Sequence, residues 1–299
     1  MTAVETREFG RTGLTVSVLG LGAGQVGQES VPEERAARVL HGALDAGVTL
    51  VDTARGYGLS EERIGRHLAG RREEFVLSSK GGYDIEGTQD WTPANLTASV
   101  ERSLRLLRTD RIDVFHLHSC PAEVLARGDL QDTLDRAVAA GQIRVAAYSG
   151  ENEALALAAE SGRFGSVQTS VNLCDQWSLH HVLPHHPALA VIAKRPLANA
   201  PWRYADRPAG VYGELYWERL RSLALEPAGL AGAGLDWDEF ALRFAAYAPG
   251  VSCAITGTAS PDNLARNVEL VGRGPLDPDL LVEVEQAWQR EGQHWPGDT

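Results

Sequence analysis

Cysteine is scarce. The 299-residue chain has three, Cys120, Cys174 and Cys253, far apart and odd in number. They do not make a disulfide framework, and reduced thiols in a cytosolic protein are the expectation. Long apolar runs are missing as well. No stretch approaches the roughly 18 residues that a membrane span needs. The polar segment Met1–Arg11 has no apolar core of the kind a secretory signal carries, so export is not expected. Basic runs are also absent: 28 Lys+Arg stand against 40 Asp+Glu, a formal charge of −12. That balance argues against nucleic acid and anionic membrane as partners. No Pro/Gly/Ser-rich linker, short repeat or low-complexity tract divides the chain. What is present is ordinary: 43% hydrophobic and 23% charged residues, which excludes disorder, collagen and coiled coil as whole-chain readings.

One pattern recurs along the chain: a short β-branched run, then a helical stretch. The runs are Val16–Leu21, Val48–Thr53, Phe75–Ser79, Ile112–Leu117, Ile143–Tyr148, Ser166–Val171, Ala190–Ala193 and Cys253–Thr256. Most are continuously apolar rather than alternating, as in strands buried on both faces of a parallel sheet. Helices are expected over Glu33–Ala46 after Ser30 and Pro32, Glu61–Leu68, Pro93–Leu107 behind the cap Thr92, Leu130–Ala140, Glu153–Glu160, and Pro261–Leu270 behind Ser260. The least regular stretch, Arg203–Gly234, reads as a long loop plus a helix. Eight strands alternating with helices predict a (β/α)8 TIM barrel in a single domain spanning 1–299.

In such a barrel the chemistry gathers where strands run into the following loops. Those ends carry Gly22-Ala23, Asp52-Thr53-Ala54, Ser79-Lys80, His116-Leu117-His118, Ser149-Gly150, Gln168 to Asn172, Lys194-Arg195-Pro196 and Gly257-Thr258. Asp52 and Lys80 come from consecutive strands and could pair in the barrel mouth. Tyr57, five positions past Asp52, is within reach of it. Gly22-Ala23-Gly24-Gln25-Val26-Gly27 fits G-x-G-x-x-G, but five residues separate it from the helix, so it reads as a flexible first loop rather than a dinucleotide fingerprint. A doubly wound fold is the lesser alternative. His116 and His118 alternate on one strand and point the same way, which leaves a metal-dependent barrel hydrolase open. His180, His181, His185 and His186, interrupted by Pro184 and Pro187, read as an exposed helix-loop face.

The sequence resembles the aldo-keto reductases over nearly its whole length. Glu8-Phe9-Gly10-Arg11-Thr12-Gly13-Leu14 is similar to the hairpin that closes the barrel bottom in that family. Val51-Asp52-Thr53-Ala54-Arg55-Gly56-Tyr57-Gly58-Leu59-Ser60-Glu61 resembles its signature, and Ser79-Lys80 and Ile112-Asp113 through His118 follow in the expected order. The resemblance implies that Tyr57 exchanges a proton with the carbonyl oxygen, Lys80 stabilises its phenolate, Asp52 pairs with Lys80, and His118 orients the carbonyl. A free tyrosine, with a pKa of about 10, is too weak an acid near neutrality without such help.

For the cofactor, the resemblance implies contacts from Gly22, Ala23, Ser149, Gly150, Gln168, Lys194, Arg195, Pro196, Leu197, Gly257, Thr258, Asn263, Arg266 and Asn267. Thr258 and Asn263 would face a 2′-phosphate and Asn267 the adenine, with the helix start near Pro261 favouring phosphate. Three departures stand out. Gly150 replaces the asparagine that usually follows the serine, with Asn172 a candidate to compensate. Lys194 replaces the aromatic that stacks on nicotinamide. The basic residues frequent at the positions of Gly257 and Asn263 are absent, with Arg195 or Arg266 as substitutes. NADP(H) is expected over NAD. Trp91 is the candidate substrate wall, and Trp177, Trp202, Tyr204, Tyr212 and Trp217 could line a broad pocket. The reading is a cytoplasmic reductase of a small-molecule aldehyde or ketone, or, in reverse, a nicotinamide-dependent dehydrogenase of the corresponding alcohol. The alternatives are a metal-dependent hydrolase using His116 and His118, which a metal analysis would separate because the reductase needs none, and a nucleotide-sensing regulatory subunit without turnover.

Overall fold

The structure, a computed structural model, describes residues 4–225 and 234–299. A hairpin of β1 (Thr6–Glu8) and β2 (Thr15–Ser17) leads into eight barrel strands. These are β3 (Leu19–Gly22), β4 (Leu50–Asp52), β5 (Val76–Gly81), β6 (Ile112–His118), β7 (Ile143–Ser149), β8 (Ser166–Ser170), β9 (Ala190–Lys194) and β10 (Cys253–Gly257). Each pairs in parallel with the next, and β10 returns to pair with β3, Ala254 opposite Leu19 and Gly257 opposite Gly22. The fold is a (β/α)8 barrel.

The predicted run Val16–Leu21 is in fact two strands. Val16 belongs to the hairpin, and the chain bends at Val18, just after Ser17, whose Oγ donates to the Leu19 carbonyl (2.6 Å) and accepts from the Thr49 amide (2.8 Å). A hydroxyl thus supplies the bonds that a continuous strand would have made. The hairpin plugs the barrel floor: Phe9, Leu14 and Val16 pack in one cluster with Leu50, Val76, Val114, Ile192 and Ile255. Gly10 makes the close approach possible. It sits at φ +53°, and a Cβ there would fall 2.5 Å from the Ala190 amide nitrogen.

Period-two alternation then determines the mouth. Leu50, Val76, Val114 and Ile192 point inward. Two residues on, the same faces carry Asp52, Ser78, His116 and Lys194. Two further, on the longer strands β5 and β6, they carry Lys80 and His118. One apolar floor and one polar mouth follow from a single strand register.

The six expected helices form within about a residue of their predicted limits. Thr92 caps its helix by accepting from the Asn95 amide (3.2 Å), and Ser260 does so from Asn263 (3.3 Å). Two long helices escaped the sequence reading, Trp237–Ala246 and Pro278–Glu291. Both carried start signals. Asp236 accepts from the Glu239 amide, and Asp277 precedes Pro278. Within the irregular stretch a helix spans Glu214–Leu223; its part at 226–233 lies outside the described residues. Cys120, Cys174 and Cys253 are buried and unpaired. Among the described residues no helix is long and apolar enough to cross a membrane.

Candidate active site

The loop after β4 carries Tyr57, and residues of the same segment hold it. Thr53 Oγ1 donates to Ser60 Oγ (2.7 Å), which donates to the Ala23 carbonyl (2.9 Å). The buried Glu61 carboxylate accepts from Ser79 Oγ (2.8 Å) and Arg102 (2.8 Å). The first loop closes from the other side. The Leu59 amide donates to the Gly27 carbonyl (2.9 Å), and a Cβ on Gly27 would meet the Tyr57 carbonyl at 1.9 Å. That first loop is not the flexible one expected. Arg63, buried, donates to the carbonyls of Val26 (2.5 Å), Gln28 (3.0 Å) and Val31 (2.8 Å), and Gln25–Gly27 winds into a 3-10 turn. A buried guanidinium satisfying three carbonyls makes it a clamped loop.

Lys80 is fully buried. Its Nζ lies 2.6 Å from Asp52 Oδ2 and 2.8 Å from the Thr53 carbonyl, and 5.0 Å from the centre of the Tyr57 ring. Burial works against the ammonium, but the Asp52 carboxylate and the Tyr57 oxygen outweigh it, so the Lys80 pKa rises above the ordinary lysine value. The other Asp52 oxygen accepts from Ser78 Oγ (2.7 Å) and Gln168 Nε2 (3.1 Å), and Gln168 in turn accepts from Ser149 Oγ (3.1 Å). His118 stands edge-on to Tyr57, ring centres 5.8 Å apart at 84°, with its Nδ1 3.0 Å from the Tyr83 hydroxyl. Burial, helped by the Lys80 and Lys194 cations, pushes its pKa down to about 3, so the ring is neutral.

His116 is turned to Ser78 Oγ and the Ser79 carbonyl, both at 3.4 Å. Among the described residues no three metal-ligating side chains come together, around this histidine pair or elsewhere. Burial first, then Lys80, lowers the His116 pKa from 6.5 to about 3. Its folded pKa lies below its unfolded value, so its share of stability is complete above pH 6.5 and is lost as the pH falls toward 3. Between pH 7 and pH 5 the loss is about 2 kcal/mol. Denaturant melts across that range should show it, and His116→Gln should flatten the slope. An unchanged slope in the variant would exclude His116 as its source.

A cleft of about 760 Å³ opens from the barrel mouth. Asp52, Tyr57, His118, Ser149, Gln168 and Lys194 line it, as do Arg195, Pro196 and Leu197 after β9, Gly22 at the end of β3 beside Asp52, and Gly257, Thr258, Asn263, Arg266 and Asn267 from the end of β10 and the helix that follows. Ala23 and Gly150 do not line it. Their amides are used inside the barrel, donating to the carbonyls of Asp52 (2.7 Å) and Gln168 (3.1 Å). Asn172 lies outside the lining: it is buried, and its Oδ1 accepts from the Cys174 amide (2.9 Å) while its Nδ2 has no partner among the described residues. Trp91 also stands outside the lining. It packs on Tyr83, ring centres 5.8 Å apart, and Tyr83, like Tyr57, touches His118.

Several lining residues were not foreseen: Gln25, Gln28, Asn199, Arg203 and Asp238. They sit in loops or far along the chain, where spacing carries no signal. Of the five loop aromatics only Tyr212 lines the cleft, its ring under the Arg195 guanidinium at 5.0 Å. Trp177 stacks on His181, Trp202 on Trp237, and Trp217 donates to the Tyr204 carbonyl. Arg195 also donates to Ser170 Oγ (3.2 Å) and the Asp298 carbonyl (2.6 Å), and Arg266 is ion-paired to Asp236. Lys194 lies 3.1 Å from the buried Glu151 carboxylate. Burial is the largest influence on it and lowers its pKa, with Glu151 opposing.

The sequence model of the Aldo/keto reductase family matches residues 18–289. The chain belongs to that family, and it is an oxidoreductase by descent. It is 26% identical over 306 residues to the uncharacterized oxidoreductase YqkF of Bacillus subtilis, covering 93% of this chain and 95% of that one. It is 26% identical over 321 residues to D-threo-aldose 1-dehydrogenase of a Pseudomonas species, covering 92% and 95%. Among solved structures it is similar to the holo form of the aldo-keto reductase AKR11C1 of Bacillus halodurans, with a TM-score of 0.80, 24% identity, and coverage of 95% and 96%.

Proposed function

We propose that this chain, working as a single barrel domain, moves a hydride between NADP(H) and the carbonyl carbon of a small aldehyde or ketone, or the reverse, with Tyr57 exchanging the proton. The observation that carries this reading is the buried Lys80–Asp52 pair, which aims an ammonium at the Tyr57 ring beside a neutral His118.

The cleft suits a nicotinamide dinucleotide. Gly22 pairs with Gly257 at the mouth ends of β3 and β10, where a Cβ on Gly22 would reach the Gly257 amide at 3.5 Å. Ser149 and Gln168 offer donors and acceptors matched to a carboxamide. Arg195, Arg266 and the capped helix start at Pro261 suit phosphates. When bound, the cofactor supplies the hydride. The protein does the rest. Tyr57 O–H donates its proton to the carbonyl oxygen, and the Lys80 ammonium, held by Asp52, stabilises the phenolate left behind. With the Tyr83 hydroxyl as donor across its 3.0 Å contact to His118 Nδ1, the proton of the neutral ring is on Nε2. From there it hydrogen-bonds the same carbonyl oxygen. The name of the Pseudomonas relative, a dehydrogenase of an aldose, makes hydroxylated carbonyls the first substrates to screen.

Tryptophan fluorescence titration tests the cofactor. NADPH should bind about tenfold or more tightly than NADH, and Arg266→Ala should erase most of that margin. Equal binding of the two would remove the NADP preference. Binding of neither would remove the reading.

A further inference from the structure

The polar mouth contains a second lysine that the proton-transfer scheme leaves unused. Lys194 ends β9 two residues beyond the inward-facing Ile192 and lines the same cleft as Tyr57, His118 and Gln168. Its side chain is one-fifth exposed there. Glu151 stands behind it, 2% exposed, and accepts from Thr169 Oγ1 (2.5 Å), the Ser170 amide (2.9 Å) and Ser170 Oγ (2.9 Å). A carboxylate that deeply buried keeps its cation, because losing the partner would leave an uncompensated charge. The Lys194 ammonium, with three N–H donors, has Glu151 at 3.1 Å as its ion-pair partner, and among the described residues it has no second one. The acids lining the cleft, among the described residues, are Asp52 and Asp238. Asp52 is saturated by Lys80, Ser78 and Gln168, and Asp238 is engaged by Trp202 and Arg203. A ring bound at the reacting end therefore meets a cation before any free carboxylate.

We infer that Lys194 makes the site discriminate by the cofactor's charge, binding the neutral reduced nicotinamide ring in preference to the cationic oxidised one. This rests on the nicotinamide reading above and adds a preference between the two cofactor forms to it. Repulsion between like charges sharing a site with an effective dielectric constant near 20 corresponds to about a hundredfold in affinity. The Glu151 counter-charge behind the ammonium reduces that to about tenfold.

Isothermal titration calorimetry with NADPH, NADP⁺, NADH and NAD⁺ tests it without turnover. The wild-type protein should hold the reduced form of its nucleotide about tenfold more tightly than the oxidised form. Lys194→Met should bring the ratio to within about threefold, mainly by tightening the oxidised form, and Lys194→Arg should keep the wild-type ratio. Lys194→Gln serves as a second neutral variant should the methionine protein not fold cooperatively. A wild-type ratio near one, or a ratio unmoved by both neutral variants, overturns the inference while leaving the cofactor reading intact. If none of the four nucleotides binds, the cofactor reading fails and the inference fails with it.

Discussion

Tyr57→Phe should fold normally, bind nucleotide as the wild type does, and lose turnover by about 10³-fold or more. The reason is that phenylalanine keeps every contact of the ring and removes only the oxygen. The Lys80 ammonium still lies over the ring face, His118 still meets it edge-on, and Gly24 still leaves it room, since even a Cβ at that position would stand 3.5 Å from the ring. The segment that carries Tyr57 is held by Thr53, Ser60, Glu61 and the Gly27 carbonyl, none of which uses the phenol oxygen. Steady-state kinetics beside a nucleotide titration separate the two effects. A variant that keeps more than about a tenth of the wild-type kcat would assign the proton to another group.

Lys80→Met should damage stability and activity together. The substitution leaves Asp52, 1% exposed, with its two hydroxyl and amide donors but no cation. Breaking one side of a buried pair costs about 3–5 kcal/mol. The double variant Lys80→Met/Asp52→Asn should recover most of that loss, because a neutral asparagine oxygen can still accept from Ser78 and Gln168. Turnover should not return, since nothing then stabilises the phenolate. Denaturant unfolding of the single and double variants, read as a double-mutant cycle, measures the coupling. A single variant that loses less than about 1 kcal/mol would show that the pair is not what holds the mouth together.

Much of this site was legible before any coordinates. Asp52, Tyr57, Lys80 and His118 lie close to strand ends within one run of consecutive β/α units, and strand ends in a barrel converge on one mouth. Their order along the chain therefore carried their proximity. The Ser60-Glu61 pair was legible as part of a motif, yet its work is scaffolding: it fastens the Tyr57 loop to β3 and β5 through Ala23 and Ser79. The readings that changed depended on contacts with no fixed spacing. Arg63 clamps a loop more than 30 residues upstream. Trp91, the candidate substrate wall, packs behind Tyr83, eight positions earlier in the same loop, and it is Tyr83 that meets His118.

The sequence by itself determined the alternation of strand and helix, and hence the barrel. It also determined the identity of the four polar residues at its mouth, because burial on both faces of a strand and helix-start chemistry are local and repeat along the chain. Only the tertiary structure decided which side chains line the cleft, what each is tied to, and where the charge of Lys194 is directed. Those outcomes depend on loops and on partners such as Glu151, Asp236 and Asp298. Chain closure and packing bring them to the site, and no periodicity records it.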